Sequence, residues 1–435
     1  MARGATFDTE LEERIGDAIG QELVVLGGNA FGGICVNILR HPAWGRAQET
    51  YGEDSLLLSE MGSSITRGVE RYGMAIVKHY ALNSMENKRF RVDVRVAPRT
   101  LHEIYLRHFK RIVCEAKPSF IMSSYNKVNG DYAGENAYLL TKVLKERWGF
   151  TGAVMTDFVF GLRDAKKSIL AGQDLEMPFR QSFDAHLPQL MAGNQVPITR
   201  LDDAVLRLLR VQHIPRTSVP VSFDRKAHRE LSLQAARESF VLLQNRDRLL
   251  PFQPSTGKIG VFGRLANEAN TGDHGSSNTQ PEHVVTCLEG IQRQFGNDRV
   301  QYCGSSDKET DVAHLARSSD VCVVVVGYTY KDEGEYVVPN LDQREVAVFP
   351  RPRLRDIPYL LLLALNALKQ AIFGSPNSMM GVGGDRASLE LREEDRRLIS
   401  TVAKYNSNVV VVVMSGSAFL CESWRHQIKS LLCIW

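Results

Sequence analysis

The stretch VMTDFVFG, from Val154 to Gly161, determines how the first half of the chain is interpreted. Val154 and Met155 have the character of a buried strand, and this strand runs directly into the carboxylate of Asp157. Phe158 and further apolar residues follow at once, so an acid stands where an apolar core closes. Because a buried charge costs several kcal/mol unless it is paired, Asp157 indicates a functional group at the end of a strand. The plainer alternative is that Asp157 caps a helix that starts near Gly161.

Apolar runs like this one recur along the first half of the chain. They are ICVNIL (34–39), MAIVKHY (74–80), SFIMSSY (119–125) and AGQDLEM (171–177). Amphipathic patterns typical of helices lie between them, at residues 56–72, 99–116, 136–149 and 161–172. Regular alternation of strands and helices predicts an α/β fold with a parallel sheet, either wound open or closed into a barrel.

A change of pattern near residue 214 predicts a second domain. Residues 214–231 are polar, contain two prolines and lack periodicity, so we interpret them as a linker after a first domain at 1–213. The alternation resumes in 232–435, with strand candidates at 239–245, 257–263, 320–328 and 407–416. The last two are valine-rich runs typical of strands buried on both faces. We expect residues 337–380, which interrupt this pattern, to be an insertion at the surface.

Composition excludes several classes of protein. The chain has 435 residues, long enough for two domains, and its net charge of +3 with 24% charged residues argues against a nucleic-acid partner. The seven cysteines show no CxxC spacing, so we expect reduced thiols rather than a disulfide framework or a zinc site. Neither a membrane span nor a signal peptide is visible, which favours a cytoplasmic protein if the N-terminus is the natural one.

Polar side chains cluster where the predicted strands of the first domain end. Besides Asp157, these positions hold Lys78, His79, Tyr125 and Glu176. Strand ends of one face converge in parallel β/α folds, and such a set of donors and acceptors suits a sugar. Retaining hydrolysis of a glycoside requires two carboxyl groups about 5 to 5.5 Å apart, and Asp157 is the candidate for the first.

The second carboxyl group is predicted in the other domain. Glu333 and Glu335 flank a glycine in GYTYKDEGEYVV (327–338), directly after a valine-rich strand, and domain interfaces commonly form pockets. The alternative is a solvated charged loop. The loop GVGGDR (381–386) lacks the lysine and the strand-glycine-helix context of a phosphate-binding loop, which disfavours nucleotide binding.

A set of motifs, taken in order, resembles the two-domain β-glucosidases of glycoside hydrolase family 3. The motifs are KHYALNSMENKR (78–89), IMSSYNKVNG (121–130), VMTDFVFG (154–161), AGQDLEMP (171–178), ARESFVLLQNRDRLLPF (236–252), DEGEY (332–336) and GGDRASLEL (383–391). The resemblance implies a TIM barrel of the (β/α)8 type followed by an α/β sandwich domain. It also suggests a chain truncated at both ends. At the N-terminus, 214 residues are few for a complete barrel, and we find no strand that carries an aspartate before a Gly-Pro pair, as family members normally have. At the C-terminus, the chain stops at LLCIW (431–435), where the second domain of the family would continue.

The resemblance further implies a role for each matching residue. Asp157 is the expected nucleophile, and Glu335 is the expected acid/base, with Glu333 as its nearest competitor. We expect the pKa of Glu335 to be raised by partial burial and by the charge of Asp157. The predicted substrate-binding residues are Arg46, Lys78, His79, Arg89, Met122, Tyr125, Phe158 as a stacking surface, and Ser276 or Ser277 in GDHGSSN (272–278). Met122 and Tyr125 are equally well explained as core residues.

These inferences predict a retaining, exo-acting β-glucosidase that uses neither a metal nor an organic cofactor. The expected partner is a small-molecule or oligosaccharide β-glycoside, with no nucleic acid and no membrane, and a homo-oligomer is possible. Two alternatives remain open. One is a related β-glycosidase such as a β-xylosidase, and the other is a truncated fragment that binds sugar without hydrolysing it.

Overall fold

The computed structural model describes residues 1–178, 180–216, 222–304, 309–336 and 383–435. The helices are α1 (Ala2–Thr6), α2 (Thr9–Val25), α3 (Ser55–Glu70), α4 (Pro98–Thr100), α5 (Arg107–Glu115), α6 (Ala165–Ala171), α7 (Ser182–Ala192), α8 (Ile198–Gln212), α9 (Arg225–Ser239), α10 (Cys287–Phe295), α11 (Glu309–Ser318) and α12 (Glu393–Tyr405). Two π-helical segments, Leu101–Tyr105 and Tyr138–Arg147, complete the predicted helical regions of the first domain. The expected insertion at 337–380 lies outside the described residues.

The first domain is built on a parallel sheet. Its strands, together with those of a small second sheet, are β1 (Ala30–Cys35), β2 (Met74–Tyr80), β3 (Asp93–Val94), β4 (Phe120–Ser123), β5 (Lys127–Val128), β6 (Asp131–Tyr132) and β7 (Ala153–Met155). The main sheet has the order β1-β2-β4-β7, and Leu175 extends it by a parallel bridge to Met155. The predicted strand runs 74–80, 119–125 and 152–158 are confirmed by β2, β4 and β7. The run 34–39 overlaps β1 only at Ile34 and Cys35, because β1 begins earlier, and the run 171–177 contributes only the bridge at Leu175. The small sheet β3-β5-β6 was not predicted.

Both faces of the main sheet are covered, which explains the continuous apolar runs. Val77, Ile121 and Val154 are register partners whose side chains pack into the large core beneath the surrounding helices. Their chain neighbours Ile76 and Met122 join a separate cluster on the opposite face. Successive side chains of a strand point to opposite faces, so a strand between two apolar layers has no polar position until it ends.

The second domain contains a six-stranded sheet of order β10-β9-β11-β12-β13-β8. Its strands are β8 (Val241–Asn245), β9 (Ile259–Phe262), β10 (Val300–Cys303), β11 (Val321–Gly327), β12 (Val409–Met414) and β13 (Ser430–Ile434). The valine-rich strand β11 lies inside the sheet and is buried along its whole length, as predicted. The edge strand β8 runs antiparallel to β13, and the other pairs are parallel.

Other expectations can be compared with the described residues. Helix α9 begins at Arg225, capped by Asp224, so it starts inside the segment that we interpreted as linker. All seven cysteines lie within the described residues, and none of them forms a disulfide bond. Within the described ranges, no helix combines the length and the apolar character that crossing a bilayer requires.

Candidate active site

Asp157 lies two residues beyond the end of β7 and is buried. Its Oδ1 accepts a hydrogen bond from the backbone N–H of Phe158 at 2.8 Å. No donor among the described residues bonds to the buried Oδ2, which faces His79 Nε2 at 3.7 Å. Burial raises the pKa of Asp157, and the charges of Arg89 and Arg46 reduce this shift. One oxygen is therefore held by the backbone, whereas the other has no donor among the described residues. Asp157 does not cap the following helix α6, because the N-cap of α6 is Asp164.

His79 is the second-last residue of β2, and both nitrogens of its ring have partners. Its Nδ1 lies 3.0 Å from Oδ1 of Asn37, and its Nε2 lies 3.1 Å from Nη1 of Arg46. A guanidinium only donates, so Nε2 accepts and the proton of the neutral ring resides on Nδ1. Burial, together with Arg46 and Lys78, holds the pKa of His79 well below its ordinary value. The structure thus brings Arg46, His79 and Asp157 together, and Lys78 precedes His79 in β2.

Two buried arginines reach the site from loops of the first domain. Glu49 binds Arg46 through two hydrogen bonds, from Nε at 2.7 Å and from Nη2 at 2.8 Å. This pair leaves Nη1 of Arg46 directed at His79. Arg89 lies over the ring of Tyr125, with its Cζ 4.7 Å from the ring centroid. Fixed geometry of both guanidiniums suits the recognition of neighbouring hydroxyl groups.

Glu335 reaches this cluster from the second domain. Its Oε1 accepts from Nη1 of Arg89 at 2.9 Å and lies 3.6 Å from Nη1 of Arg46. Its Oε2 accepts the backbone N–H of Ser276 at 2.6 Å. Burial alone would raise the pKa of Glu335, but Arg46, Arg89 and Ser276 outweigh it, and the pKa lies well below its ordinary value. The predicted raised pKa is therefore wrong for this arrangement, because two arginines distant in sequence hold the carboxylate ionised.

Glu333 has different partners, although it is only two residues from Glu335. Its Oε1 accepts the backbone N–H of Gly416 at 2.8 Å, and its Oε2 lies 3.0 Å from Nε of Arg386. Burial raises the pKa of Glu333 more than Arg386 lowers it. Both Glu333 contacts are made within the second domain, whereas Glu335 contacts arginines of the first. The geometry therefore favours Glu335 as the second carboxylate of the site, because Arg46 contacts both Glu335 and His79, which lies beside Asp157.

The two domains are joined beside the site by a contact that we call the Asp385 clamp. The carboxylate of Asp385 accepts hydrogen bonds from the backbone N–H groups of Gly45, Glu86 and Asn87, at 2.9 to 3.0 Å. A Cβ on Gly45 would lie 2.2 Å from the carbonyl oxygen of Gly384, so only glycine permits this approach. The clamp fixes the loops that carry Arg46 and Arg89 against the domain that carries Glu335.

The remaining predicted residues are placed around this centre. Tyr125 is buried, and its hydroxyl donates to the carbonyl oxygen of Phe158 at 2.7 Å. The side chain of Phe158 is 44% exposed, which leaves a surface open for stacking. Met122 packs in the apolar cluster with Ile76, as its core alternative proposed. The backbone N–H of Ser276 donates to Oε2 of Glu335, which places Ser276 beside this carboxylate.

Glu86 is a third buried carboxyl group at the site. Its Oε1 accepts from Nε1 of Trp44 at 3.0 Å, and its Oε2 lies 3.2 Å from Nη1 of Arg89. Burial raises the pKa of Glu86 from 4.5 to about 7, against the opposing charges of Arg89 and Arg46. Between these two pKa values the folded chain keeps a proton that the unfolded chain has released. This difference destabilises the fold progressively as the pH rises from 4.5 to about 7.

We expect Glu86→Gln to flatten this pH dependence. The change removes a contribution of up to about 1.4 kcal/mol per pH unit from the slope of the unfolding free energy. Urea unfolding at intervals between pH 5 and pH 8 measures the slope in the parent and in the variant. Glu103→Gln, at a side chain that is 58% exposed, is the control and retains the parent slope. Equal slopes for the parent and Glu86→Gln would mean that Glu86 is ionised throughout this range.

Sequence reasoning missed three acids that support the site. Glu49 orients Arg46, Asp385 forms the clamp, and Asp273 accepts the backbone N–H of Glu335 at 2.8 Å. Asp385 and Asp273 act on backbone groups, which no side-chain pattern reveals. Both acids lie in glycine-containing loops, GGDR (383–386) and GDHG (272–275). This position is the one feature of the sequence that could have indicated their role.

Comparisons with known proteins agree with this architecture. The family model "Glycosyl hydrolase family 3 N terminal domain" matches residues 1–211, and "Glycosyl hydrolase family 3 C-terminal domain" matches residues 240–435. The chain is 32% identical to "Thermostable beta-glucosidase B" of Acetivibrio thermocellus, covering 98% of this chain and 52% of the relative. It is 30% identical to "Exo-alpha-(1->6)-L-arabinopyranosidase" of Bifidobacterium longum, covering 99% of this chain and 53% of the relative.

Solved structures give the same result. The GH3 beta-glucosidase of Bifidobacterium adolescentis superposes with a TM-score of 0.80 at 27% identity, over 99% of this chain and 58% of that one. Beta-glucosidase 3B of Thermotoga neapolitana in complex with glucose superposes with a TM-score of 0.79 at 26% identity. The match covers 100% of this chain and 60% of that one. The chain spans about half the length of the curated relatives named above. With both domain models of one family matched along it, the chain belongs to glycosyl hydrolase family 3.

Proposed function

We propose that the chain is a retaining, exo-acting β-glucosidase that removes terminal non-reducing β-D-glucosyl residues. The observation that carries this proposal is the meeting of Asp157, with one unbonded carboxylate oxygen, and Glu335 from the other domain around Arg46 and Arg89. Relatives named beta-glucosidase support the choice of substrate. No cofactor is needed, because two carboxyl groups and water account for the reaction.

The proposed reaction proceeds in two steps. Oδ2 of Asp157 attacks the anomeric carbon and forms a glycosyl ester, while the bond to the leaving oxygen breaks and Glu335 gives that oxygen a proton. Glu335 then takes a proton from water, whose oxygen attacks the anomeric carbon and releases Asp157. Two inversions at one carbon give net retention of the β configuration.

Substrate binding would also change the protonation of Glu335. In the free chain, Arg46 and Arg89 keep this carboxylate ionised, yet the first step requires a proton on it. Hydroxyl groups of a bound sugar compete for the same guanidinium donors. We propose that the sugar draws the arginines away from Glu335, so that burial then raises its pKa and prepares it to act as an acid.

Hydrolysis assays with NMR detection test the proposed function. We expect the purified chain to cleave p-nitrophenyl β-D-glucoside faster than the β-D-xyloside or the α-L-arabinopyranoside, with β-glucose as the first product. Faster cleavage of the xyloside would instead identify a β-xylosidase, and initial release of α-glucose would contradict retention. A folded chain that binds glucose by calorimetry but cleaves none of the three would support the sugar-binding fragment.

A further inference from the structure

Asp273 is a buried carboxylate in the loop Gly272–Asn278 that receives four hydrogen bonds. Its Oδ1 accepts from the backbone N–H of Gly275 at 2.9 Å and from the hydroxyl of Ser277 at 2.8 Å. Its Oδ2 accepts from the backbone N–H of Glu335 at 2.8 Å and from Nε2 of Gln48 at 3.0 Å. Each oxygen therefore serves a different part of the structure, one its own loop and the other Glu335 and the first domain.

These bonds fix Glu335 at both its backbone and its side chain. The Oδ2 bond holds the backbone amide directly. The Oδ1 bonds hold the residues on either side of Ser276, whose N–H donates to Oε2 of Glu335 at 2.6 Å. A Cβ on Gly275 would lie 2.8 Å from Cβ of Glu335, so the loop packs directly against that side chain. Little freedom remains for the carboxylate while Asp273 accepts on both oxygens.

The hydrogen bond from Gln48 connects Asp273 to the segment of the first domain that carries Arg46, the arginine near Glu335. Gln48 belongs to the first domain and lies two residues beyond Arg46, next to Glu49, which binds Arg46. The carboxylate of Asp273 thus sets the position of Glu335 relative to Arg46 across the domain boundary.

We propose that Asp273 is the positioning residue for the acid/base Glu335. It holds that carboxyl group where it can protonate the leaving oxygen and does not itself touch the substrate. The inference rests on the proposed function, since it assigns Asp273 a task within the proposed reaction. Asparagine is the most informative replacement, because it keeps the shape of the side chain. Its NH2 group replaces one carboxylate oxygen and cannot accept the two hydrogen bonds that this oxygen receives in the parent.

Leaving-group dependence separates positioning from a purely structural role. A dinitrophenyl leaving group departs without a proton, whereas an alkyl alcohol needs one. For Asp273→Asn we expect kcat/KM to fall about 10- to 100-fold for methyl β-glucoside, since a misplaced acid loses about this much. For 2,4-dinitrophenyl β-glucoside we expect less than about a threefold change, because the acid contributes little to its departure. An equal loss on both substrates, or none on either, would overturn the proposal.

A matched control and a milder variant accompany this test. Asp320 lies in the same domain and also accepts a hydrogen bond from a backbone N–H, that of Lys258 at 2.7 Å. Because this bond does not involve Glu335, Asp320→Asn should lower kcat/KM for the two glucosides equally or not at all. If Asp273→Asn does not fold, Gln48→Leu removes one Oδ2 bond and should still reduce the methyl glucoside rate selectively, by about threefold or more. Equal effects of Gln48→Leu on both substrates would count against positioning.

Hydrogen exchange decides the question independently of activity. The amide of Glu335 donates to Asp273, so Asp273→Asn should accelerate deuterium uptake by the peptide that contains Glu335, while Asp320→Asn should not. Unchanged uptake would overturn the proposal. A parent chain that is inactive on both glucosides would refute the proposed function, and the exchange result would still show whether Asp273 fixes Glu335.

Discussion

Asp157→Asn is expected to lower kcat/KM for aryl β-glucosides by about 10⁴-fold or more, because an amide oxygen does not form the glycosyl ester. The shape of the site is retained, since an asparagine oxygen still accepts the N–H of Phe158. Initial rates with p-nitrophenyl β-D-glucoside measure the effect. Asp164→Asn is the matched control, because Asp164 caps α6 by accepting from Lys167 at 2.9 Å and asparagine caps equally well.

Chemical rescue identifies the role of Asp157 more specifically. In Asp157→Ala, the space left by the carboxylate admits azide, which attacks the anomeric carbon from the face that Asp157 occupied. The expected product is α-glucosyl azide, formed by a single inversion. Residual activity above about 1% in Asp157→Asn would mean that another group attacks the sugar, once contaminating parent protein is excluded by active-site titration.

Glu335→Ala carries the second large expected effect, and this effect depends on the leaving group. For alkyl glucosides we expect kcat/KM to fall about 10²- to 10⁴-fold, the usual contribution of a general acid. Dinitrophenyl glucoside should still form the glycosyl enzyme, which then accumulates because no base activates water. Added azide should restore turnover and give β-glucosyl azide, the opposite anomer from that expected with Asp157→Ala.

Glu333→Ala is the matched comparison for Glu335→Ala. Glu333 binds the N–H of Gly416 and Arg386, so its loss leaves a buried guanidinium with fewer partners and lowers the unfolding free energy by about 3 to 5 kcal/mol. The folded fraction should retain the parent dependence on leaving group and give no azide adduct. Formation of β-glucosyl azide by Glu333→Ala, and not by Glu335→Ala, would reverse the assignment of the acid/base.

Much of the fold could be predicted because its strands are buried on both faces. Runs such as MAIVKHY contain no polar residue until the strand end, so their position and the site at their carboxyl ends follow from one pattern. Strands β10 and β13 were not predicted, because their apolar pattern is weak: Gln301 and Tyr302 of β10 are exposed, and β13 begins with a polar serine.

The electrostatics of the site could not be predicted in the same way. The expected pKa shift of Glu335 had the wrong sign because Arg89 lies 246 residues away in sequence, and no spacing rule brings them to 2.9 Å. Met122 illustrates a different limit. Its place at a strand end suits a pocket and a core equally well, and only the neighbouring side chains show that it packs with Ile76.

The Asp385 clamp has a consequence for recombination between relatives. A chimera made by exchanging whole domains combines the first domain of one relative with the second domain of another. In this chain, however, the carboxylate of Asp385 in the second domain binds three backbone amides of the first domain. No side chain is tolerated at position 45, because a Cβ there would collide with the backbone of Gly384. A chimera should therefore inherit the loops around Gly45 and Glu86 from the same parent as Asp385. Useful crossover points then lie before Gly45, or on both sides of each loop, and not at the boundary between the domains.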